Sequence, residues 1–301
     1  MPTLRAVRRR IGSVVKTREI TAAMKTVSAV KVRNAQAALV AMRPYAGALA
    51  EIIARLAVCE DPGVHPLLAD RGDEKTVVVV VTGDRGLCGP FNANVIRRAV
   101  AYQEEHRARL GHYAEMVCVG KRGYDFFKRR DYNVVDHYVG FFRGITYDDA
   151  RAIGEKTKRA FLSRDVDRVD FVYHHFFSPG RQAVAVRAVL PVRLCEMIVP
   201  EETAKDLPAP AVLSAGTEYI YEPDREAILD TLLPLYLNVQ VWRILQESIS
   251  SEHGARMMAM EAATRNCEDV LGALSLQYNK ARQAAITKEL LEVAATAEGL
   301  R

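Results

Sequence analysis

Residues 3–57 read TLRAVRRRIGSVVKTREITAAMKTVSAVKVRNAQAALVAMRPYAGALAEIIARLA. Apolar side chains recur at Leu4, Val7, Ile11 and Val14, and again at Val32, Ala35, Leu39, Met42, Ala46, Leu49, Ile53 and Leu56. This alternating three-and-four spacing is that of a coiled-coil seam and predicts one long helix. At ~1.5 Å per residue the helix would span about 80 Å. The seam is interrupted between Arg18 and Ser28, which reads as a stutter. Pro44 removes a backbone donor and is expected to bend the helix. Asp61-Pro62-Gly63 then ends it with turn chemistry.

The other end of the chain carries a matching pattern. Residues 224–297 place Leu232, Leu235, Val239, Trp242, Ile249, Met257, Met260, Cys267, Leu271, Leu274, Tyr278, Ala281 and Ala285 at helical spacing. Unbroken, this second helix would be about 110 Å long. Met, Trp and Tyr in such a stripe read as core rather than as a cofactor box. The stripe thins to alanines toward its end, where two helices could approach closely.

Between the helices the pattern changes. Strand-like runs at Thr76–Thr82, Ala114–Val119, Asn133–Val139, Arg168–Phe177 and Gln182–Val192 alternate with helical patterns at Phe91–Arg109, Lys121–Arg130 and Tyr147–Ser163. Alternation of this kind implies a covered, mainly parallel sheet. Pro200, Pro208 and Pro210 mark 200–217 as a loop or linker. The fold class expected is therefore α/β. A long antiparallel coiled coil of the N- and C-terminal helices is joined to a small Rossmann-like α/β domain with a mainly parallel sheet. Residues 1–57 and 224–301 would form the coiled coil and 58–223 the globular domain. The domain would sit at one end of a rod, an unusual shape for an enzyme.

Composition narrows the class. The 301 residues are 49% hydrophobic and 26% charged, with a mean hydropathy of -0.07, ample for a core in one or two domains. The longest purely apolar run, Val77–Val81, is far short of the roughly 18 residues of a membrane span. Cys59, Cys88, Cys118, Cys195 and Cys267 are scattered, odd in number and without a Cys-x-x-Cys. A disulfide scaffold and a zinc ribbon are disfavoured, and a reducing compartment is indicated. Charge is uneven: residues 1–56 hold eleven Lys/Arg against Glu19 and Glu51, a net +9 out of the chain's +5, leaving −4 for the remainder. A basic helix reads as a ligand for nucleic acid, anionic lipid or an acidic protein surface, against the plainer alternative of a solvated face. The Arg-rich start is similar in composition to a transit peptide, but the helical pattern runs on from Leu4 without a boundary and is read as mature sequence.

Motifs for catalysis are missing. Thr82-Gly83-Asp84-Arg85-Gly86-Leu87-Cys88-Gly89 lies between a strand and a helix, where phosphate loops sit. It lacks the Gly-Lys-Ser/Thr of a Walker A, and its glycines are spaced by three rather than as Gly-x-Gly-x-x-Gly. It reads as a tight turn needing glycine dihedrals. Cys88 is read as a structural thiol. His174 and His175 are neighbours in a strand and point to opposite faces, poor geometry for joint metal ligation. No metal site, cofactor site or catalytic constellation is expected. Residues 1–43 hold no aromatic side chain, so the basic helix suits an acidic protein better than stacked nucleic acid.

Several blocks resemble the gamma subunit, or central stalk, of F-type ATP synthases. Ile20 through Ala29 (Ile-Thr-Ala-Ala-Met-Lys-Thr-Val-Ser-Ala) looks like that family's N-terminal helix. Asp84-Arg85-Gly86-Leu87-Cys88-Gly89 with Phe91-Asn92 looks like its signature turn, although Gly83 stands where the family usually has serine and Pro90 where it usually has glycine. Tyr219 through Asp224, Ser251-Glu252-His253 with Ala255-Arg256-Met257 and Ala259-Met260, and Tyr278 through Thr287 are similar to its C-terminal blocks. The order covers essentially the whole chain, with a weak match over 178–217.

The resemblance implies a non-catalytic rotor subunit of a proton-translocating ATP synthase. Its partners would be the alpha and beta subunits of the catalytic head, the epsilon subunit and the membrane c-subunit ring, with no cofactor, nucleic acid or small-molecule substrate. Met24, Lys25, Arg282, Gln283 and Thr287 would contact beta; Tyr219 and Glu222 would face the membrane ring and epsilon; Asp84, Arg85, Gly86, Cys88 and Gly89 would be structural. With no redox-regulatory cysteine insertion like that of chloroplast members, the chain looks bacterial or mitochondrial in type; with no presequence evident, the bacterial type is expected, peripheral to the plasma membrane on its cytoplasmic side. The alternative is a Rossmann-like nucleotide-binding protein using Gly83–Gly89, with helical arms for dimerisation. A weaker alternative is a nucleic-acid-binding rod.

Overall fold

The computed structural model describes residues 4–57, 65–140, 144–193 and 221–298. Tyr219, most of the 178–217 stretch and the 200–217 loop reading lie wholly or largely outside them. The chain divides into two compact units, residues 1–30 with 256–301, and residues 31–255. Helix α1 (Leu4–Ala57) and the last helix, α5 (Arg225–Glu298), each contribute to both units.

The larger unit is built on a five-stranded sheet of β1 (Thr76–Val81), β2 (Glu115–Val119), β3 (Val134–Tyr138), β4 (Arg168–Ser178) and β5 (Arg181–Leu190). The order is β3-β2-β1-β4-β5, parallel throughout except for the β4–β5 pair. β1 is Thr-Val-Val-Val-Val-Val and buried at every position, as a central strand covered on both faces must be. Its even residues Val78 and Val80 pack with Val95 and Ala99 of α2 (Phe91–Leu110) and Phe127 of α3 (Lys121–Lys128). Its odd residues Val77, Val79 and Val81 pack with Ala150, Ile153 and Phe161 of α4 (Tyr147–Leu162), Leu49, Ile53 and Leu56 of α1, and Leu229 to Leu245 of α5. Thr146 and Asp149 cap the start of α4 reciprocally, side chain to backbone.

The α5 segment in this unit is wrapped more fully than one stripe allows. Of the expected stripe, Val239 is buried and Leu232, Leu235 and Trp242 are half-buried, while Leu229, Leu233, Leu237, Val241, Ile244 and Leu245, off that stripe, are also covered. Helix α5 packs here on the sheet layer and on α1 together, so more than one face is apolar.

In the smaller unit, α1 and α5 run antiparallel. Thr21 Oγ1 lies 2.8 Å from Thr264 Oγ1, and Lys25 Nζ lies 3.4 Å from Glu261 Oε1. As the residue number rises on α1 it falls on α5. The stutter expected between Arg18 and Ser28 is a polar continuation of the seam instead. Thr21 and Ser28 are buried, with Met24 and Lys25 partly covered between them, and both hydroxyls also donate to carbonyls of the preceding turn. A count of apolar residues alone misses them.

Candidate functional site: the signature turn and the polar segment of helix α5

Residues 82–89 leave the carboxyl end of β1 and tie three strand ends together. Thr82 N–H donates to Val119 O (2.8 Å), and its hydroxyl accepts from Gly123 N–H (2.8 Å). One carboxylate oxygen of Asp84 accepts from Lys121 N–H (3.0 Å) and Gly140 N–H (3.1 Å), bracing the segments that follow β2 and β3. Asn92, one residue into α2, accepts from Gly83 N–H (2.8 Å) and donates to Arg85 O (3.2 Å) and the buried Cys88 Sγ (3.2 Å). Arg122 N–H donates to Gly83 O (3.2 Å). Gly86 backs onto the Arg122 guanidinium, and Gly89 has φ +56°. Gly120 is fixed most tightly: at φ +97°, a Cβ there would lie 1.8 Å from Thr82 O.

This position is the topological switch point of the sheet. α2 and α3 cover one face and α4 the other, so the connections diverge between β1 and β4, where open α/β sheets bind their ligands. Here the chain fills that place itself. The Phe91 ring stacks on His174 of β4 with centroids 4.4 Å apart, and Phe91 O lies 3.0 Å from His174 Nε2. Burial pushes the pKa of His174 down, so its imidazole is neutral. Against Gly83 lies the carboxylate of Glu252 from α5, with Oε1 2.6 Å from where a Cβ would stand. The nucleotide-binding alternative needs this space and the Gly83 N–H, and both are taken by Glu252 and Asn92.

Glu252 belongs to a run of α5 that is buried and polar. Gln246, Glu247, Ser248, Ser250, Ser251, Glu252 and His253 are all buried. Glu247 Oε2 lies 2.6 Å from His175 Nδ1, and Oε1 accepts from Arg243 Nε at 2.7 Å. Burial alone would raise the Glu247 pKa, but His175 and Arg243 outweigh it and hold the carboxyl below its ordinary range. His174 and His175 thus serve opposite faces of β4, one toward α2 and the other toward α5, as their adjacency in a strand implies. Ser251 Oγ reaches His174 O at 3.5 Å. At Gly254 a Cβ would lie 3.0 Å from Pro179 O and 2.9 Å from Gln182 Nε2, so the β4–β5 hairpin packs on the helix backbone.

Ser251-Glu252-His253 stands in the sequence only as part of a family-like block, and its burial is not evident because two glutamates among serines and a histidine look like helix surface. Its signal was the seven residues without a stripe position between Ile249 and Met257. Sequence reading also passed over Asp170, buried in β4 against Tyr102 Oη (2.5 Å) and Arg168 Nε (2.9 Å).

The residues expected to touch a partner are distributed over both units. Met24 and Lys25 are half-buried in the smaller unit, and Lys25 is paired with Glu261, which also holds Arg265 at 2.8 Å. Arg282, Gln283 and Thr287 are exposed on α5, with the Thr287 hydroxyl donating to Gln283 O (2.9 Å). Glu222 is exposed ahead of α5 in the larger unit. Among the described residues no cluster could hold a metal ion, and no helix is long and apolar enough to cross a membrane. Cys88 and Cys118 are buried and Cys267 is half-buried, and burial pushes Cys118 up to about 12.

The chain is similar to proteins of one kind. A family model described as ATP synthase matches residues 3–300. Proteins named ATP synthase gamma chain from Anaeromyxobacter dehalogenans and Chlorobaculum parvum are 45% and 42% identical, with both chains covered completely. A chain from the Euglena gracilis mitochondrial ATP synthase aligns with a TM-score of 0.64 at 20% identity, over 99% of this chain and 94% of that one. A central-stalk chain from Tetrahymena thermophila aligns at 0.59 and 22% identity, over 81% and 99%. At these identities the two structures speak to the fold alone.

Proposed function

The chain belongs to the ATP synthase gamma chain family, and from that membership we propose that it is the central rotor stalk of an F-type, proton-translocating ATP synthase. A gamma chain is a subunit of this membrane-associated complex and not the catalytic one. The observation that carries the reading is end-to-end identity of 42–45% with gamma chains. Helices 1–57 and 224–301 would form the shaft and 58–223 the foot. The head of alpha and beta subunits surrounds the shaft; the foot meets epsilon and the c-subunit ring.

The surface of the smaller unit supports this assignment. Ile20, Val27, Leu276, Ile286, Leu290, Leu291 and Val293 are exposed there, a set of large apolar side chains that a covering partner would remove from water. Arg5, Arg8, Arg9 and Arg10 are exposed on the same unit and suit an acidic lining. Arg282, Gln283 and Thr287 would bond to beta through side-chain contacts, the arginine in a charge-assisted pair. Met24 and Lys25 would lie near acidic loops of beta, with Lys25 shared between them and Glu261. A shaft with a different face toward each of three beta subunits stabilises a different nucleotide-site state in each. Moving a site fully between states takes on the order of 5 kcal/mol of differential stabilisation. Tyr219 and Glu222 are assigned to the foot contact.

The gamma chains of Anaeromyxobacter and Chlorobaculum come from bacteria, and we place this complex at a bacterial plasma membrane, with the chain on the cytoplasmic side. The test is co-expression with the host's alpha and beta subunits. The expected complex holds one copy of this chain to three of each partner and hydrolyses ATP only when the chain is present. An active alpha–beta complex that excludes the chain would overturn the reading.

A further inference from the structure

We propose that Glu252 and Gly83 form a load-bearing joint that fixes helix α5 to the carboxyl end of the sheet; the inference rests on the rotor reading and assigns it two positioning residues. The apolar stretch of α5, Leu229 to Leu245, provides adhesion to the larger unit. Apolar contact is non-directional and lets a helix slide or turn on its bed. Hydrogen bonds and ion pairs hold only over a narrow range of distance and angle, so they fix rotation and register.

The structure concentrates polar contacts and close backbone approaches in one short run. Glu247 bonds to His175 and Ser251 Oγ reaches His174 O, while the Glu252 carboxylate abuts the Gly83 backbone and the Gly254 backbone abuts the hairpin at Pro179 and Gln182, steric stops that likewise fix register. The Gly83 contact is distinctive because the turn it presses on is held to α2 by Asn92 and braces the segments after β2 and β3 through Asp84. A force on the sheet therefore reaches α5 through the glycine backbone and the buried carboxylate, which is 2% exposed and has little room to swing aside. Torque entering at the foot needs such a contact, because an apolar bed alone would slip.

The experiment is a double-mutant cycle, Gly83→Ala and Glu252→Ala, in the assembled complex in membrane vesicles. It reads ATP hydrolysis, ATP-driven proton uptake, and amide exchange at 83–91 and 246–254. Each single variant is expected to raise exchange at both segments and to lower proton uptake per ATP by about threefold or more, while hydrolysis stays within about twofold. Gly83→Ala is expected to add nothing once Glu252 is alanine, because its Cβ then meets no carboxylate. Unchanged exchange in both single variants would overturn the contact. Raised exchange with unchanged uptake would overturn its role in carrying load. Equal loss of hydrolysis and uptake, or failure to assemble, would reduce the pair to a folding element and overturn the proposal. Wild-type vesicles that hydrolyse ATP without uptake would instead bring down the rotor reading, a result separable from any effect of the variants.

Discussion

Helix α5 carries two segments that invert the usual rule of burial. In the larger unit, Gln246 to His253 are polar and buried. In the smaller unit, Leu276, Ile286, Leu290, Leu291 and Val293 are apolar and exposed, four of them at about two-thirds of full exposure. A buried polar run costs free energy unless each group is bonded, so it is retained where geometry matters more than adhesion. An exposed apolar run costs solubility, so it is retained where a partner covers it. In the first segment Glu247 and Ser251 find their partners within the chain, while the Ser248 and Ser250 hydroxyls are buried without one among the described residues; the second segment would be covered by the assembly.

The sharpest way to break this comparison is at the turn the buried segment supports. Gly120→Ala places a methyl group against Thr82 O at a left-handed φ, and we expect a loss of about 3–4 kcal/mol in chemical denaturation. A loss below 1 kcal/mol would mean that the turn yields and cannot brace three strands. Glu247 comes next. Its folded pKa lies below the ordinary 4.5, so its contribution is present above that value and is lost as pH falls through and beneath it, where the unfolded carboxyl takes a proton first. From pH 6 down to pH 3, wild type is expected to lose more stability than Glu247→Gln, most of it below 4.5; parallel curves would remove the ion pairs from the account.

Much of the fold was legible because its signals are local. A β-branched run ahead of a Gly-rich turn gave β1, and the three-and-four seam gave both terminal helices. The seam through Thr21 and Ser28 was not legible, since hydroxyls sit there in place of methyl groups and bond to the backbone and to Thr264. The turn was recognisable as a tight glycine-bearing connection. Its counterpart on α5 was not, because Glu252 lies 169 residues away and only the packed sheet brings it to Gly83.

Smaller effects sharpen the contrast in the other unit. Thr21→Val keeps the shape of the side chain but removes the bond to Thr264, and is expected to cost about 1 kcal/mol, read as faster amide exchange on α1 near residue 21 with exchange in the sheet unchanged. Exchange that rises in the sheet as well would show that the two units do not unfold separately. Gln283→Leu, at an exposed position, should change folding by less than about 0.5 kcal/mol while lowering ATP turnover in the assembled complex. Unchanged turnover would remove Gln283 from the beta contact.

The central claim is that this chain turns within a fixed head. With the head immobilised and a bead attached to the larger unit through Glu74→Cys, an exposed position, ATP should drive rotation in one direction with three pauses per turn. Sustained ATP hydrolysis with the bead stationary, or with only undirected motion, would contradict it.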